Sequence, residues 1–263
     1  MNKTTPPESS SRSFRLSILA LALCLASPPV ARANFSSSGS VATPDGDPWT
    51  SGADLAVGYA GTASMLLNEH LDGNGITDVP ASTTYIGYGP GTQASFTVSG
   101  SGCTFRWHRL WVGEGANSQG TFTMTGGTKK IDPNYENNYI YVGGGAGSYG
   151  RMILTDPGTT IHLSDSILVG YLEDTRGYLL VENGALLEST SLYLGHRASA
   201  VGTVVVDGPT SILRNWTNSD NQIGRSGRGW MTVQNGGLAE LRGVTLGWNS
   251  DSYGEVLVLS LIH

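Results

Sequence analysis

The sequence predicts an all-β chain that folds as a parallel β-helix, or β-solenoid, of about eight coils of 23–30 residues each. The first observation behind this prediction is a motif in which two residues, almost all of them aliphatic, flank one spacer and a glycine follows. This motif recurs eight times at intervals of 23 to 30 residues. The second is an alternation of apolar residues that follows every copy of the motif. A fixed period in this range is typical of stacked units, none of which buries its apolar face alone.

The recurring glycine, which we call the anchor glycine, is predicted to close the first strand of each coil. The residue directly before it should point inward, because successive side chains of a strand alternate between the two faces. These inward residues are Val57, Ile86, Val112, Val142, Val169, Leu194, Ile223 and Leu246. The anchor glycines, which we interpret as structural, are Gly58, Gly87, Gly113, Gly143, Gly170, Gly195, Gly224 and Gly247.

A second strand is predicted seven to ten residues after each anchor glycine, where two apolar residues again flank one spacer. Examples are Met152 with Leu154 and Val204 with Val206. A corner rich in Gly, Asn and Asp comes next, because such corners need residues that accept a positive φ. A weaker apolar stretch such as residues 185–187 follows and completes one coil. Successive coils are expected to stack at a spacing of about 4.8 Å.

Residues 1–33 are predicted to be a secretory signal peptide that is cleaved before Asn34. The basic residues Lys3, Arg12 and Arg15 precede an apolar run that is too short to span a bilayer, and a small-residue cleavage sequence ends at residue 33. Residues 34–51 are then expected to form an N-terminal lead-in or cap, and residues 52–263 the solenoid repeat domain. The apolar end of the sequence predicts that this domain is truncated at its C-terminus.

The mature chain is acidic. Without residues 1–33 it holds 11 Lys and Arg against 20 Asp and Glu, a formal charge of −9, and it shows no basic stretch. This composition argues against nucleic acid and anionic membranes as partners, and no membrane span is expected in the mature chain. Cys103 is the only mature cysteine, so the sequence excludes an intrachain disulfide and favours a small buried apolar role for this residue.

Several stretches of the chain resemble a known repeat. They are GTVVVDGPTS at residues 202–211, NQIGRSGRGWMTVQNGG at 221–237, SFTVSGSG at 95–102 and GTFTMTGG at 120–127. These stretches resemble the repeat shared by type V secretion (autotransporter) passengers and PEP-CTERM-sorted exoproteins, and the resemblance covers about residues 52–258. It implies a parallel β-helix displayed outside a Gram-negative-type cell, and it implies no catalytic residues. The chain departs from the family pattern after residue 258, which leaves the route of export open.

The residue two positions before each anchor glycine is predicted to point outward. In five successive repeats this position carries Tyr85, Trp111, Tyr141, Leu168 and Tyr193. An exposed row of aromatic rings is a candidate platform for sugar rings or for a partner surface, so Tyr85, Trp111, Tyr141 and Tyr193 are the candidate binding residues. The alternative is that these rings only stabilise one another across neighbouring strands. The sequence leaves both interpretations open.

Two groups of acidic residues are weak candidates for a metal site. Glu182 and Asp207 occupy equivalent corner positions in adjacent coils, about 5 Å apart, where they could share a proton or bind Ca²⁺. Asp72, Asn74 and Asp78 resemble part of a calcium loop that lacks its later glutamate. The alternatives are solvated turn carboxylates and an Asp/Gly-rich insertion. We expect neither a metal nor another cofactor.

The histidines His70, His108, His162 and His196 fall at different places in their repeats, which predicts isolated loop histidines and no metal cluster. The sequence therefore favours a non-enzymatic, exported structural or adhesive protein at the extracellular or bacterial outer surface. Glycans or other components of the cell surface or matrix are its expected partners. The alternatives are a polysaccharide-active lyase or hydrolase built on a β-helix, and a carbohydrate-binding solenoid without catalysis.

Overall fold

The structure is a computed structural model that describes residues 34–39, 41–42, 54–68, 77–100, 103–126, 128–129, 138–217 and 220–259. All of these residues belong to one compact unit, Ala31–His263. They form strands and turns, with no helix among them, and hence the described part of the chain offers no helix able to cross a membrane. The predicted signal peptide, together with residues 40 and 43–51 of the predicted lead-in, lies outside the described residues.

The described chain forms 23 strands. In order they are β1 (Asn34–Ser38), β2 (Val41–Ala42), β3 (Leu55–Val57), β4 (Thr62–Asn68), β5 (Thr77–Ile86), β6 (Gln93–Ser99), β7 (Cys103–Val112), β8 (Gln119–Thr125), β9 (Thr128–Lys129), β10 (Tyr139–Val142), β11 (Tyr149–Thr155), β12 (Thr160–His162), β13 (Ile167–Val169), β14 (Arg176–Glu182), β15 (Leu186–Ser189), β16 (Leu192–Leu194), β17 (Val201–Asp207), β18 (Ile212–Asn215), β19 (Asn221–Ile223), β20 (Arg228–Gln234), β21 (Leu238–Glu240), β22 (Val244–Leu246) and β23 (Tyr253–Leu259).

Two sides of the solenoid follow the predicted repeat. The strands that end at the anchor glycines pair in parallel with their equivalents in the next coil, in the order β3, β5, β7, β10, β13, β16, β19, β22. The second strands also pair in parallel, in the order β4, β6, β8, β11, β14, β17, β20, β23. The seven steps from β3 to β22 make about seven turns, so the predicted parallel β-helix is confirmed.

The third side is less regular. Short strands β9, β12, β15, β18 and β21 form it in the later coils. In two early coils it merges with the anchor strand, which makes β5 and β7 ten residues long each. Before the first turn, β1 pairs with β4 and β2 pairs with β3, and both of these pairings are antiparallel. The first coil therefore has strands of opposite direction on its outer edge.

The core consists of in-register columns of apolar side chains. The predicted inward residues from Val57 to Ile223 are fully buried, and each pairs with its equivalent in the next coil. Leu246 continues the column but is 50% exposed, because the described chain places no further coil on it. Burying one aliphatic side chain of this size contributes about 1.5–3 kcal/mol, so the columns are the main source of stability.

The anchor glycines occupy a backbone conformation that favours glycine. All eight have a positive φ, between 58° and 78°. At Gly170 a Cβ atom would also lie 2.4 Å from the carbonyl oxygen of Val201, closer than any real side chain approaches. A second column of glycines lies near the start of the second strands. It was not predicted from the sequence. In it a Cβ on Gly177 would lie 2.2 Å from the carbonyl oxygen of Val142. At these glycines the anchor-strand side of one coil and the second strand of the following coil thus meet backbone against backbone.

Candidate functional site

The outward residues of the anchor strands form one continuous row. Tyr85 pairs with Trp111, Trp111 with Tyr141, Tyr141 with Leu168, and Leu168 with Tyr193. We call this row the aromatic ladder. Parallel in-register strands place equivalent residues about 4.8 Å apart, which is a distance at which aromatic rings contact one another. The period-two alternation that buries the core therefore also assembles this outer row.

The best-packed part of the ladder is the pair Trp111 and Tyr141. Their ring centroids lie 3.8 Å apart and their planes are 11° from parallel. The indole of Trp111 also lies over Gly144, where a Cβ atom would come within 2.5 Å of it. Burial raises the pKa of the Tyr141 hydroxyl above its ordinary value. Each of these rings therefore has one face covered by the other, and both side chains are half-buried.

A second row lies beside the ladder, at the residue directly after the anchor glycine, and this residue carries a ring in five of the eight repeats. Tyr59 stacks on Tyr88 at 5.7 Å, and Tyr171 lies 5.0 Å from Tyr141 and 5.1 Å from His196, measured between ring centroids. This row was not predicted from the sequence. The pattern was available, because the position carries Tyr, His, Arg or Trp in six of the eight repeats.

The aromatic ladder is interrupted at Leu168. This shorter side chain is 6% exposed and lies at the bottom of an open groove of about 550 Å³. The ladder residues on either side of it, Tyr141 and Tyr193, line the groove together with Tyr171 and His196 from the second row. We call this feature the Leu168 groove. It is lined by residues of four coils, so it is a property of the stack and not of one repeat.

One wall of the Leu168 groove carries a cation next to a histidine. The Arg225 guanidinium lies 5.6 Å from the ring centroid of Tyr193, and it donates a hydrogen bond to Nε2 of His196. Burial, followed by the charges of Arg225 and Arg197, lowers the pKa of His196 to about 4. His196 is therefore neutral at pH 7, and its proton sits on Nδ1, because arginine can only donate. That buried Nδ1 has no hydrogen-bond partner among the described residues.

Two carboxylates line the same groove. The Asp165 side chain accepts hydrogen bonds from the Tyr139 hydroxyl and from Oγ of Ser166, the latter at 2.8 Å. Burial, together with the hydrogen bond to Asp165, raises the pKa of Tyr139 to about 12. Asp220 lines the groove as well, and the described residues show no ion pair between Arg225 and a carboxylate. The groove thus offers acceptors and donors around an aromatic wall.

Glu182 and Asp207, which the sequence singled out, do not line this groove. Glu182 and Asp207 are register partners, as predicted. The Asp207 oxygens accept hydrogen bonds from Gln234 Nε2 at 3.0 Å and from Asn235 Nδ2 at 2.7 Å, which makes this corner a polar ladder between coils. Asp78 lies in β5, opposite Thr104, and Asp72 and Asn74 lie outside the described residues. Within the described ranges, no three His, Cys, Asp or Glu side chains are grouped to hold a metal ion.

The prediction that the histidines are isolated loop residues was wrong for His108 and His162, which lie in strands, and for His196, which lies in a loop but accepts a hydrogen bond from Arg225. His108 lies in β7 and His162 in β12. Nδ1 of His162 lies 2.9 Å from a carboxylate oxygen of Glu188, and Arg214 in the next coil lies 3.3 Å from the other oxygen. His70 lies outside the described residues.

Comparison of the chain with protein-family models, with curated proteins and with solved structures found no match. The resemblance of its repeats to autotransporter passengers and PEP-CTERM-sorted exoproteins stays a prediction from the motifs. The β-solenoid itself rests on the strand pairing, which does not depend on that resemblance.

Proposed function

We propose that this protein is an exported structural and adhesive repeat protein whose β-solenoid presents an extended surface outside the cell, in the manner of an autotransporter passenger. The observation that carries this proposal is the in-register aromatic ladder with the second row of rings beside it. Because each coil repeats the same outer positions, every added coil lengthens the surface and adds another set of side chains to it. A function of this kind belongs to a face, and it needs no cofactor.

The chemistry of that face favours glycans of a cell surface or matrix as the partner. Sugar rings have apolar C–H faces that pack on aromatic rings, and hydroxyl edges that need hydrogen-bond partners. Tyr171 and Tyr193 offer ring surface in the Leu168 groove, and Asp165 and Arg225 offer an acceptor and a donor beside it. Both requirements are met within one groove, which supports a glycan over an apolar partner surface.

Residues 1–33 support export. They begin with basic residues, continue with an apolar run and end with a small-residue cleavage sequence. The full chain can be produced in a Gram-negative bacterium, and the mass of the product outside the inner membrane determined. We expect a product that begins at Asn34. Uncleaved chain that stays in the cytoplasm would contradict export. Replacing the apolar residues Leu19 and Leu21 with Asp is the matched control that should block cleavage.

One observation favours a second candidate function, a polysaccharide-active enzyme. Asp165 and Asp220 line the same groove, and glycoside hydrolysis needs a pair of carboxyl groups on either side of the scissile bond. Release of reducing ends from an oligosaccharide by the purified chain tests this function. The activity should disappear in an Asp220→Asn variant that still binds the sugar. Binding without any release of reducing ends would leave adhesion as the function.

A further inference from the structure

We propose that Tyr59, Tyr88 and Glu114 form a site for the guanidinium group of an arginine side chain in a partner polypeptide. These three residues directly follow the anchor glycines of the first three coils, away from the Leu168 groove. The inference goes beyond the proposed function, because it assigns a protein partner to the early coils. It stands whether or not the Leu168 groove binds a glycan.

An open groove of about 520 Å³ lies at the start of the second row. Tyr59 and Tyr88 line it and stack on each other, with ring centroids 5.7 Å apart and planes 18° from parallel. The two side chains are 61% and 36% exposed, and Pro90 and Ala116, which also line the groove, are exposed as well. The stacked rings are therefore held in place and still offer surface to a ligand.

Glu114 supplies the charge of this groove. It comes directly after Tyr88 in the second row, and its backbone N–H donates a hydrogen bond to the carbonyl oxygen of Gly87 at 3.2 Å. Burial raises the pKa of the half-buried Glu114 carboxyl, and the side chain has no hydrogen bond or ion pair with the described residues. Partial burial of a carboxylate without a counter-ion is unfavourable, so a cation that enters the groove relieves this cost.

The field around these rings is negative. Tyr85 lies 4.8 Å from Tyr88, measured between ring centroids. Burial, followed by the charge of Asp54, raises the pKa of the Tyr85 hydroxyl, and the charge of Glu114 acts in the same direction. No basic residue among the described ones acts on Tyr85 or on Glu114. The groove therefore selects a positively charged ligand group.

The basic residues of the outer face act on later coils. Arg109 lowers the pKa values of Tyr139 and Tyr141, which burial raises. Arg225 and Arg197 act on His196 in the Leu168 groove. The early end of the face, where Glu114 lies, thus differs in charge from the part that follows it.

The solenoid itself shows how a guanidinium packs at these positions. In a later coil the residue after the anchor glycine is Arg225, and its guanidinium lies 5.6 Å from the ring centroid of Tyr193, the ladder residue of the preceding coil. Glu114 and Tyr85 are the equivalent residues in the early coils, so the charge at this position is reversed there.

A guanidinium suits the groove better than an ammonium group does. It is planar, packs on aromatic faces and can donate two parallel hydrogen bonds to one carboxylate. An ammonium group is a compact and more strongly hydrated charge. Two exposed rings beside a single carboxylate therefore favour arginine over lysine and over an amino sugar.

NMR titration of the full chain with labelled tyrosine rings tests the site. The probe is the pentapeptide Gly-Gly-Arg-Gly-Gly with both ends blocked, and the same peptide with citrulline in place of arginine keeps the shape without the charge. We expect saturable shifts of the Tyr59 and Tyr88 rings with the arginine peptide, and about tenfold or weaker binding of the citrulline peptide. The corresponding lysine peptide and a tetramer of glucosamine should bind more weakly than the arginine peptide.

Two changes at Glu114 test its role. Glu114→Gln keeps the size of the side chain and removes its charge, so it should weaken binding of the arginine peptide about tenfold. Glu114→Arg places the chain's own cation in the groove, as Arg225 does beside Tyr193, and should abolish binding. Glu173→Gln, at an exposed carboxylate of a later coil, is the matched control and should change Kd by less than about twofold.

Circular dichroism identifies the folded variants, and the comparison of arginine with citrulline on the parent needs no variant. The site is overturned if the arginine peptide gives no saturable shifts, if the citrulline peptide binds as tightly, or if a folded Glu114 variant binds like the parent. Equal or tighter binding of the lysine peptide or of the glucosamine tetramer would overturn the assignment to arginine.

Discussion

The rings of Trp111 and Tyr141 stack with their centroids 3.8 Å apart and their planes 11° from parallel. The two residues come from adjacent coils and are register partners in β7 and β10. Their contact therefore adds an outer connection between coils to the buried columns on the inside. The ladder is interrupted one coil further on, at Leu168, where the open groove lies.

The stacked pair predicts a measurable coupling. Trp111→Ala and Tyr141→Ala should each lower the free energy of unfolding by about 1–2 kcal/mol, because each variant loses half-buried ring contacts. The double variant should lose less than the sum, with a coupling of about 0.5–1.5 kcal/mol. Urea denaturation of the four proteins measures this cycle. Strictly additive losses would show that the two rings do not support each other.

The inward column predicts a local loss of structure. Val169→Asp places an unpaired carboxylate between two coils and should cost about 3–5 kcal/mol, the penalty of an uncompensated buried charge. Because stacking couples nearest neighbours, proteolytic sites should open first in the coils beside Val169. Thr123→Asp, on the outer side of β8, is the control and should remain resistant. Equal resistance of the Val169 variant would contradict the inward column.

Gly170 and Gly158 both have a positive φ, but only Gly170 is closely packed. Comparing their alanine variants therefore distinguishes the cost of backbone strain from the cost of a close contact. Gly170→Ala should destabilise the chain strongly, because φ is +71° and the new Cβ would meet the Val201 carbonyl oxygen. Gly158→Ala has φ +101° and no atom within 4 Å of the new Cβ, so only the backbone strain remains. We expect the first change to cost at least about 2 kcal/mol more than the second in thermal or urea unfolding. Similar losses would show that Gly170 does not approach Val201 of the next coil closely.

The lowered pKa of His196 makes the stability of the fold depend on pH. Its pKa lies near 4 in the folded chain, against an ordinary value of 6.5, so the unfolded chain binds this proton more tightly. Its contribution to stability is therefore complete above pH 6.5 and is lost as the pH falls from 6.5 toward 4. Unfolding measured at several pH values should show this slope in the parent and a smaller one in His196→Gln.

Arg225→Met should raise the pKa of His196, because it removes a nearby positive charge. NMR titration of the His196 ring checks this, and an unchanged pKa would contradict the contact.

The sequence was sufficient to predict the parts of the fold that repeat. The glycine period and the alternation around it placed Val57, Val112 and Val169 in one column, and the same alternation placed Tyr85 and Trp111 on the outside. Both placements are local consequences of strand geometry. They need no knowledge of how far apart the coils lie.

The Leu168 groove was not predictable in the same way. Asp165 and Asp220 come from irregular segments of different coils, and Arg225 reaches Tyr193 from the residue after an anchor glycine. Corner segments differ in length from coil to coil, so their relative positions appear only after the strands are in register. The contact of His162 with Glu188 was missed for the same reason, because the third side is the least periodic part of the sequence.

Co-sedimentation of the full chain with insoluble cell-surface polysaccharide tests most directly whether the aromatic face is adhesive. We expect the parent to be retained, with or without a chelator, because no metal is proposed on this face. The double variant Tyr171→Ala with Tyr193→Ala should lose about tenfold or more in apparent affinity, since each aromatic residue that packs on a ligand contributes about 1–2 kcal/mol. Tyr149→Ala, a 39% exposed tyrosine on the other sheet, should be retained like the parent. Undiminished retention of a folded double variant would show that these aromatic residues do not bind the polysaccharide.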